Sequence, residues 1–334
     1  MSKIAFSGKQ HKGMIAGAIL APALAVSLWL LFPKAKPTHI PPAQISTSAS
    51  SLDYTNSVSP TNTDSTSSTH LHTISFFEAS SFYPAVEAVS KKPLFTLPKP
   101  VFGATTPHHL IPSPAIASLF SELKKQHPQT IILLSPNHFQ AGSQIFLTSN
   151  ESYPTPFGNL TTNEKIYQKI LSAKNNNTPL FEENHTALGN DHGIGALAPF
   201  ITYYLPDTTI VPILIRDGST EKDMQQLTQI LAPFISTNTP LITSVDFSHY
   251  LPLAEANKKD TITWDAIFHW NLASLIRLNS NDYLDTPTGM ATLLNIMKQK
   301  GSTTINQRYH DNAGSILHQP KIPSTSYFIL TFTK

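Results

Sequence analysis

Two histidines side by side behind a proline, His108 and His109 in Thr106-Pro107-His108-His109-Leu110-Ile111-Pro112, are the first residues of this chain equipped for chemistry. The proline stiffens the backbone before them, so a tight turn sets where the rings point. Three later stretches carry partners for them: Ser135-Pro136-Asn137-His138, Ser244-Val245-Asp246-Phe247-Ser248-His249-Tyr250 and Asp282-Tyr283-Leu284-Asp285-Thr286-Pro287. Two imidazoles and one carboxylate, His108, His138 and Asp285, make a set that leaves coordination positions open on iron(II) and can equally hold catalytic zinc. In the second stretch Asp246 stands three residues before His249, where a carboxylate can orient a histidine as acid or base. Asp191-His192-Gly193 opens a helix, whose positive end favours a carboxylate and a neutral imidazole.

Each of these residues also has a plainer account. A lone imidazole can merely cap the helix that starts at Pro114, and Asp191, Asp246 and Asp285 can each be a helix or turn cap, Asp285 standing just before a helix opened by Pro287. Composition narrows the choice. The chain has 14 histidines and no cysteine, so thiolate nucleophiles, disulfides and Cys-ligated metal are excluded, and any metal site draws on His, Asp or Glu. There is no G-x-S-x-G elbow and no phosphate-cradling glycine loop. A formal charge of +2 with 13% charged residues provides no basic stripe for nucleic acid.

The elements that must bring these residues together are strands alternating with helices. Short apolar runs at 130–135, 209–215 and 240–245 read as buried strands, with further strands at 101–104, 144–148 and 326–332. Helical spacing covers 114–126, 163–173, 194–204, 221–235, about 253–278 and 287–300. The alternation predicts an α/β fold with a mostly parallel sheet, in which loops at the carboxyl ends of the strands share one crevice. Histidines distant in sequence then become neighbours in space.

With 334 residues and 40% hydrophobic side chains the chain can bury a large core. Four segments are expected. Residues 1–12, with Lys3, Lys9 and Lys12, form an inside segment. Residues 13–33 contain an uncharged apolar run, Met14 to Phe32, about 29 Å long as a helix and so read as a transmembrane anchor rather than a cleaved signal or a core helix. Residues 34–73, rich in Ser, Thr and Pro, form a tether. The absence of Lys and Arg between Lys36 and Lys91 predicts a single-pass protein whose domain, 74–334, faces away from the cytoplasm. His11, His39, His70 and His72 are set aside as lying outside that domain.

The motifs Ala79-Ser80-Ser81-Phe82-Tyr83-Pro84, Pro107-His108, Ser135-Pro136-Asn137-His138, Tyr153-Pro154-Thr155-Pro156-Phe157-Gly158, Asp191-His192-Gly193-Ile194, Ile210-Val211-Pro212-Ile213-Leu214 and Ser244 to Tyr250 occur in the order of the Memo family, also called AmmeMemoRadiSam system protein B. From about residue 74 onward the chain resembles that family. The resemblance implies a single three-layer domain like the class III extradiol ring-cleavage dioxygenases, with His108 and His138 as metal ligands. It implies a divalent ion, iron or copper before zinc. Memo proteins often have a cysteine before the last helix where this chain has Asp285, and the dioxygenases use a carboxylate as third ligand. His249 corresponds to the dioxygenase acid/base histidine, with Asp246 and His192 lining the same pocket. His109 replaces the small residue that usually follows the first ligand, so either neighbour is available to the ion. The functions that follow are a metal-dependent oxidoreductase, a metal- or ligand-binding module for a surface partner, or a metal-assisted hydrolase.

Overall fold

In the strand Thr130–Pro136 every residue is buried, and odd and even positions face different cores: Ile131 and Leu133 one way, Ile132 and Leu134 the other. A strand apolar on both faces needs helices on both sides. The computed structural model, which describes residues 71–72, 76–278 and 282–334, provides them. The strands are β1 (Gly103–Thr106), β2 (Thr130–Pro136), β3 (Phe146–Thr148), β4 (Tyr153–Thr155), β5 (Gly158–Leu160), β6 (Lys174–Asn175), β7 (Thr178–Pro179), β8 (Phe181–Glu183), β9 (Thr209–Ile215), β10 (Leu241–Ser244), β11 (Thr304–Asn312) and β12 (Ser326–Thr333). The helices are α1 (Ala79–Lys91), α2 (Ser113–Leu123), α3 (Glu164–Leu171), α4 (His185–Asn190), α5 (His192–Gly195), α6 (Ala198–Tyr204), α7 (Glu221–Leu231), α8 (Leu253–Phe268), α9 (Leu272–Arg277), α10 (Pro287–Gln299) and α11 (Ala313–Ile316).

The main sheet has the order β11-β12-β1-β10-β2-β9-β3-β8. Its centre, β1-β10-β2-β9, is parallel, and so is β3-β8, whereas β11-β12, β12-β1 and β9-β3 are antiparallel. One face packs on α1, α2 and α6 through Phe82, Phe120 and Phe200; the other packs on α7, α8 and α10 through Leu227, Ile267 and Met290. Removing a side chain such as Leu119, fully buried in the first core, would cost about 2–5 kcal/mol through lost burial and the cavity left behind. The fold is therefore α/β with helices on both faces of a mostly parallel sheet.

Local chemistry explains where elements depart from periodicity. The helix expected over 194–204 is two, α5 and α6, because Pro199 in the first turn of α6 cannot continue an earlier helix. The long helix expected to 278 breaks at Trp270 (φ 55°), and Asn271 restarts it by accepting from the Ser274 amide. Strand β11 was not anticipated, because an edge strand that is mostly half-buried has no apolar run to betray it. His72, set aside as outside the domain, is 3% exposed, donates its amide N–H to the Ser152 carbonyl and packs its ring on Tyr153.

The expectation of a membrane-anchored, single-pass protein with an extracytoplasmic domain is corrected. No helix among the described residues is long and apolar enough to cross a membrane. The longest, α8, has 16 residues, about 24 Å, and carries Glu255, Lys258, Lys259 and Asp260. The expected span at 13–33 lies outside the described residues.

Candidate metal centre

The three neighbouring parallel strands β1, β10 and β2 each place an ionisable residue two positions beyond their last residue: His108 after Thr106, Asp246 after Ser244 and His138 after Pro136. Because β10 lies between β1 and β2, Asp246 falls between the two histidines at the carboxyl rim. Asp285, just before α10, joins them through a backbone exchange: the Asp246 amide donates to Asp285 Oδ2 at 3.1 Å and the Asp285 amide donates to the Asp246 carbonyl at 3.1 Å.

Hydrogen bonds fix how each ring presents itself. Ser244 Oγ donates its one proton to the Gly193 carbonyl at 2.5 Å, so its oxygen is left to accept from His108 Nδ1–H at 3.0 Å. Nε2 of His108 then carries the lone pair. Asp191, fully buried, takes the His138 amide on Oδ2 (2.9 Å) and His138 Nδ1–H on Oδ1 (2.8 Å), which leaves His138 Nε2 as acceptor too. Gly193 is needed at this approach, since a Cβ there would meet Ser135 Oγ at 2.0 Å and His138 Cε1 at 3.1 Å. The two Nε2 atoms face each other at 3.2 Å. Two ~2.1 Å bonds to one ion at a roughly tetrahedral angle would put such nitrogens about 3.4 Å apart.

Asp285 Oδ2 lies 3.4 Å and Asp246 Oδ2 3.6 Å from His108 Nε2. Asp285 Oδ1 is buried without a hydrogen-bond partner, an orphan that a cation or a donor on a ligand would satisfy. The His192 ring stacks on His138 with centroids 3.9 Å apart. Among the described residues there are two trios, His108-His138-His192 and His108-Asp246-Asp285, within each of which the ligand atoms lie within 4.8 Å of one another. They share His108, and the trio read from sequence, His108-His138-Asp285, is divided between them.

Burial dominates the electrostatics. It holds His108 well below the usual histidine range, helped by repulsion from His138, His192, His249 and His109. Burial and then His138 lower His192, with Asp191 opposing. Burial pushes the Asp246 carboxyl up to about 7 against the amides of His108 and His109, and pushes Asp285 well above the carboxylate range, reinforced by Asp246. Desolvation thus favours neutral imidazoles and carboxyls reluctant to ionise at this rim.

The site opens into a cavity of about 640 Å³ whose wall includes Phe76, His109, Leu110, Ile111, His249 and Tyr250. His249 sits at this wall partly exposed, while His109 turns away from the carboxylates to Tyr327, Nδ1 to hydroxyl 2.6 Å. Sequence reading missed Ser244 and Tyr327 as partners of the histidines, and placed Asp191 at a helix start without pairing it with His138. Asp191 does cap, accepting from the Gly193 amide at 2.8 Å, but it also aims His138. Its position beside another histidine was the available signal; Ser244, the last residue of a β run, offered none.

Fold and site together define an α/β protein with a histidine–carboxyl centre at the carboxyl ends of its parallel strands. Residues 103–326 match the family described as Memo-like protein, and the chain belongs to that family. It is 25% identical to a MEMO1 family protein of Pyrobaculum aerophilum, over 53% of this chain and 64% of that relative, so this chain spans less than two thirds of that relative's length. With a MEMO1 family protein of Desulfurococcus amylolyticus the identity is 26%, over 68% of this chain and 83% of the relative. The crystal structure of an uncharacterized protein of Escherichia coli K12 aligns with a TM-score of 0.44 and 15% identity, covering 64% of this chain and 91% of that one.

Proposed function

We propose that the crevice holds one divalent metal ion and that the protein is a metal-dependent oxidoreductase of dioxygenase-like type acting on a small aromatic substrate. The observation that supports this is the pair of Nε2 lone pairs facing at 3.2 Å, each pinned by a hydrogen bond on the opposite ring nitrogen, beside the orphaned Asp285 Oδ1. His108 and His138 bind the ion, Asp285 takes the third place, and Asp246 and His192 line the pocket. Iron or copper there would supply Lewis acidity and one-electron chemistry.

The remaining roles belong to the chain. Phe76, Leu110 and Ile111 give the cavity an apolar wall that limits water and suits a flat ring, and its size is that of an ordinary small-molecule site. His249, at that wall, takes the proton from a substrate hydroxyl or returns it to the product. Asp246 accepts the His108 amide at 3.3 Å and so holds the turn that carries the ligand.

The test is elemental analysis of anaerobically purified full-length protein, followed by oxygen uptake with a panel of catechols. Bound iron or copper with oxygen consumption supports the reading, and His249→Ala should keep the metal while cutting turnover by ~10²–10⁴. Stoichiometric metal without turnover on any catechol would leave a metal-binding module instead. Loss of metal in His249→Ala would move that residue from proton carrier to ligand.

A further inference from the structure

Ser248 belongs to the same short block as Asp246 and His249 but is turned away from the metal crevice. Its hydroxyl donates to Asp260 Oδ1 on α8 at 2.6 Å, and the other carboxylate oxygen, Oδ2, accepts from His310 Nε2 at 3.1 Å. Asp260 is 1% exposed. Beside it lies a second cavity of about 500 Å³, lined by α8, β11 and Phe328 of β12, which shares no lining residue with the metal cavity.

We propose that this second cavity binds a small organic ammonium ion carrying an aromatic or other apolar body. The lining contains two carboxylates, Asp260 and Asp311, and no lysine or arginine, so its charge favours a cation over an anion. Asp260 spends one acceptor site per oxygen on Ser248 and His310, which leaves capacity for an N–H donor from a ligand. One aromatic face stands beside these charges, that of Trp264, half-buried and nearly parallel to Phe328 (5°, centroids 6.4 Å apart), whose own ring is buried under His310 at 3.9 Å. Carboxylate plus indole face is the pairing that recognises an alkylammonium group.

Other occupants fit less well. A bare divalent ion has no trio of ligand atoms here, the two such groups among the described residues both lying in the metal crevice. A sugar would have to bind without Asn312, whose amide is spent on Ser326, Ser324 and Gly314, and without the Thr261 hydroxyl, which donates to its own helix. Because Ser248 is two residues from Asp246 and next to His249, an ammonium ion drawn to Asp260 sits one hydrogen bond from the backbone of the metal site.

The experiment is isothermal titration of the full-length protein with 2-phenylethylammonium, its neutral counterpart 2-phenylethanol and the anion 3-phenylpropionate. The ammonium ion should bind saturably, the alcohol about tenfold or more weaker, the scale of one charged hydrogen bond or cation–π contact, and the anion not at all. Trp264→Leu should weaken ammonium binding about tenfold while retaining metal content, and Asp260→Asn should weaken it at least as much; Asp311→Asn serves if Asp260→Asn does not fold. His138→Ala, which disables the metal crevice, should bind the amine as the wild type does. No saturable ammonium binding, equal binding of the alcohol, unchanged binding in Trp264→Leu, or loss of binding in His138→Ala would each overturn the proposal.

Discussion

Asp246, just beyond the end of β10, and Glu182, on β8 of the same sheet, both receive backbone N–H groups, yet their carboxyls are driven in opposite directions. At the central rim, burial wins over the amides of His108 and His109 and pushes Asp246 up to about 7. At the outer edge, on β8, burial again works to raise Glu182 but is outweighed: the Ser143 amide and hydroxyl, the Gln144 amide and the Asn184 side chain all donate to it and bring it down to about 2. The difference is one of supply. Glu182 has four donors and is half-exposed, whereas Asp246 and Asp285 are almost enclosed and Asp285 Oδ1 has no donor at all. A satisfied carboxylate holds structure together; an under-satisfied enclosed one is a place where a cation gains more than water would give it.

The sharpest way to break this comparison is to remove one of the two facing rings. His108→Ala or His138→Ala should eliminate most bound metal in elemental analysis of anaerobically purified protein, and Glu182→Gln should retain all of it. Equal metal in all three would mean that neither ring holds the ion. His109→Ala belongs with Glu182→Gln in that assay, because its ring faces Tyr327 rather than the carboxyls; metal loss in His109→Ala would exchange the roles of the two neighbours.

A smaller effect is expected one layer out. Asp191→Asn keeps an acceptor for the Gly193 amide but takes away the charge that holds His138 Nδ1–H, and metal affinity should fall by roughly 10–100-fold. Ser244→Ala should act on the same scale through His108. Competition with a chelator of known affinity measures both, and affinities within a factor of about two of wild type would show that the crevice does not need its tautomers set.

These positioning residues mark the limit of what the sequence disclosed. His108, His138 and Asp246 were legible because each sits just beyond an apolar run that only a buried strand explains, and strand ends meet at one rim. Asp285 was legible through Pro287, which announces the helix behind it. The division of candidate ligands into two trios around His108 was not, because it depends on β10 lying between β1 and β2, an order that periodicity does not encode. Ser244 was hidden for a different reason. A serine closing Leu241-Ile242-Thr243-Ser244 reads as an ordinary strand residue, and only the register pairing it with Thr106 brings it under His108.

Glu182 supplies the least dramatic test and the one that isolates electrostatics from metal. Its donors close the turn at Gly142 (φ 75°), so the carboxylate links β8 to the residues leading into β3. The folded value, about 2, lies below the ordinary glutamate value, so its contribution to stability is complete above about pH 4.5 and is lost as pH falls towards about 2. Glu182→Gln should therefore destabilise the protein at about pH 7 by about 0.5–1 kcal/mol, modest because this rim is open to solvent. Urea unfolding repeated at about pH 3.5 should find the gap between wild type and variant narrowed. A gap that stays constant would assign the effect to lost geometry in the turn rather than to charge, and would remove Glu182 as the ionised counterpart of Asp246.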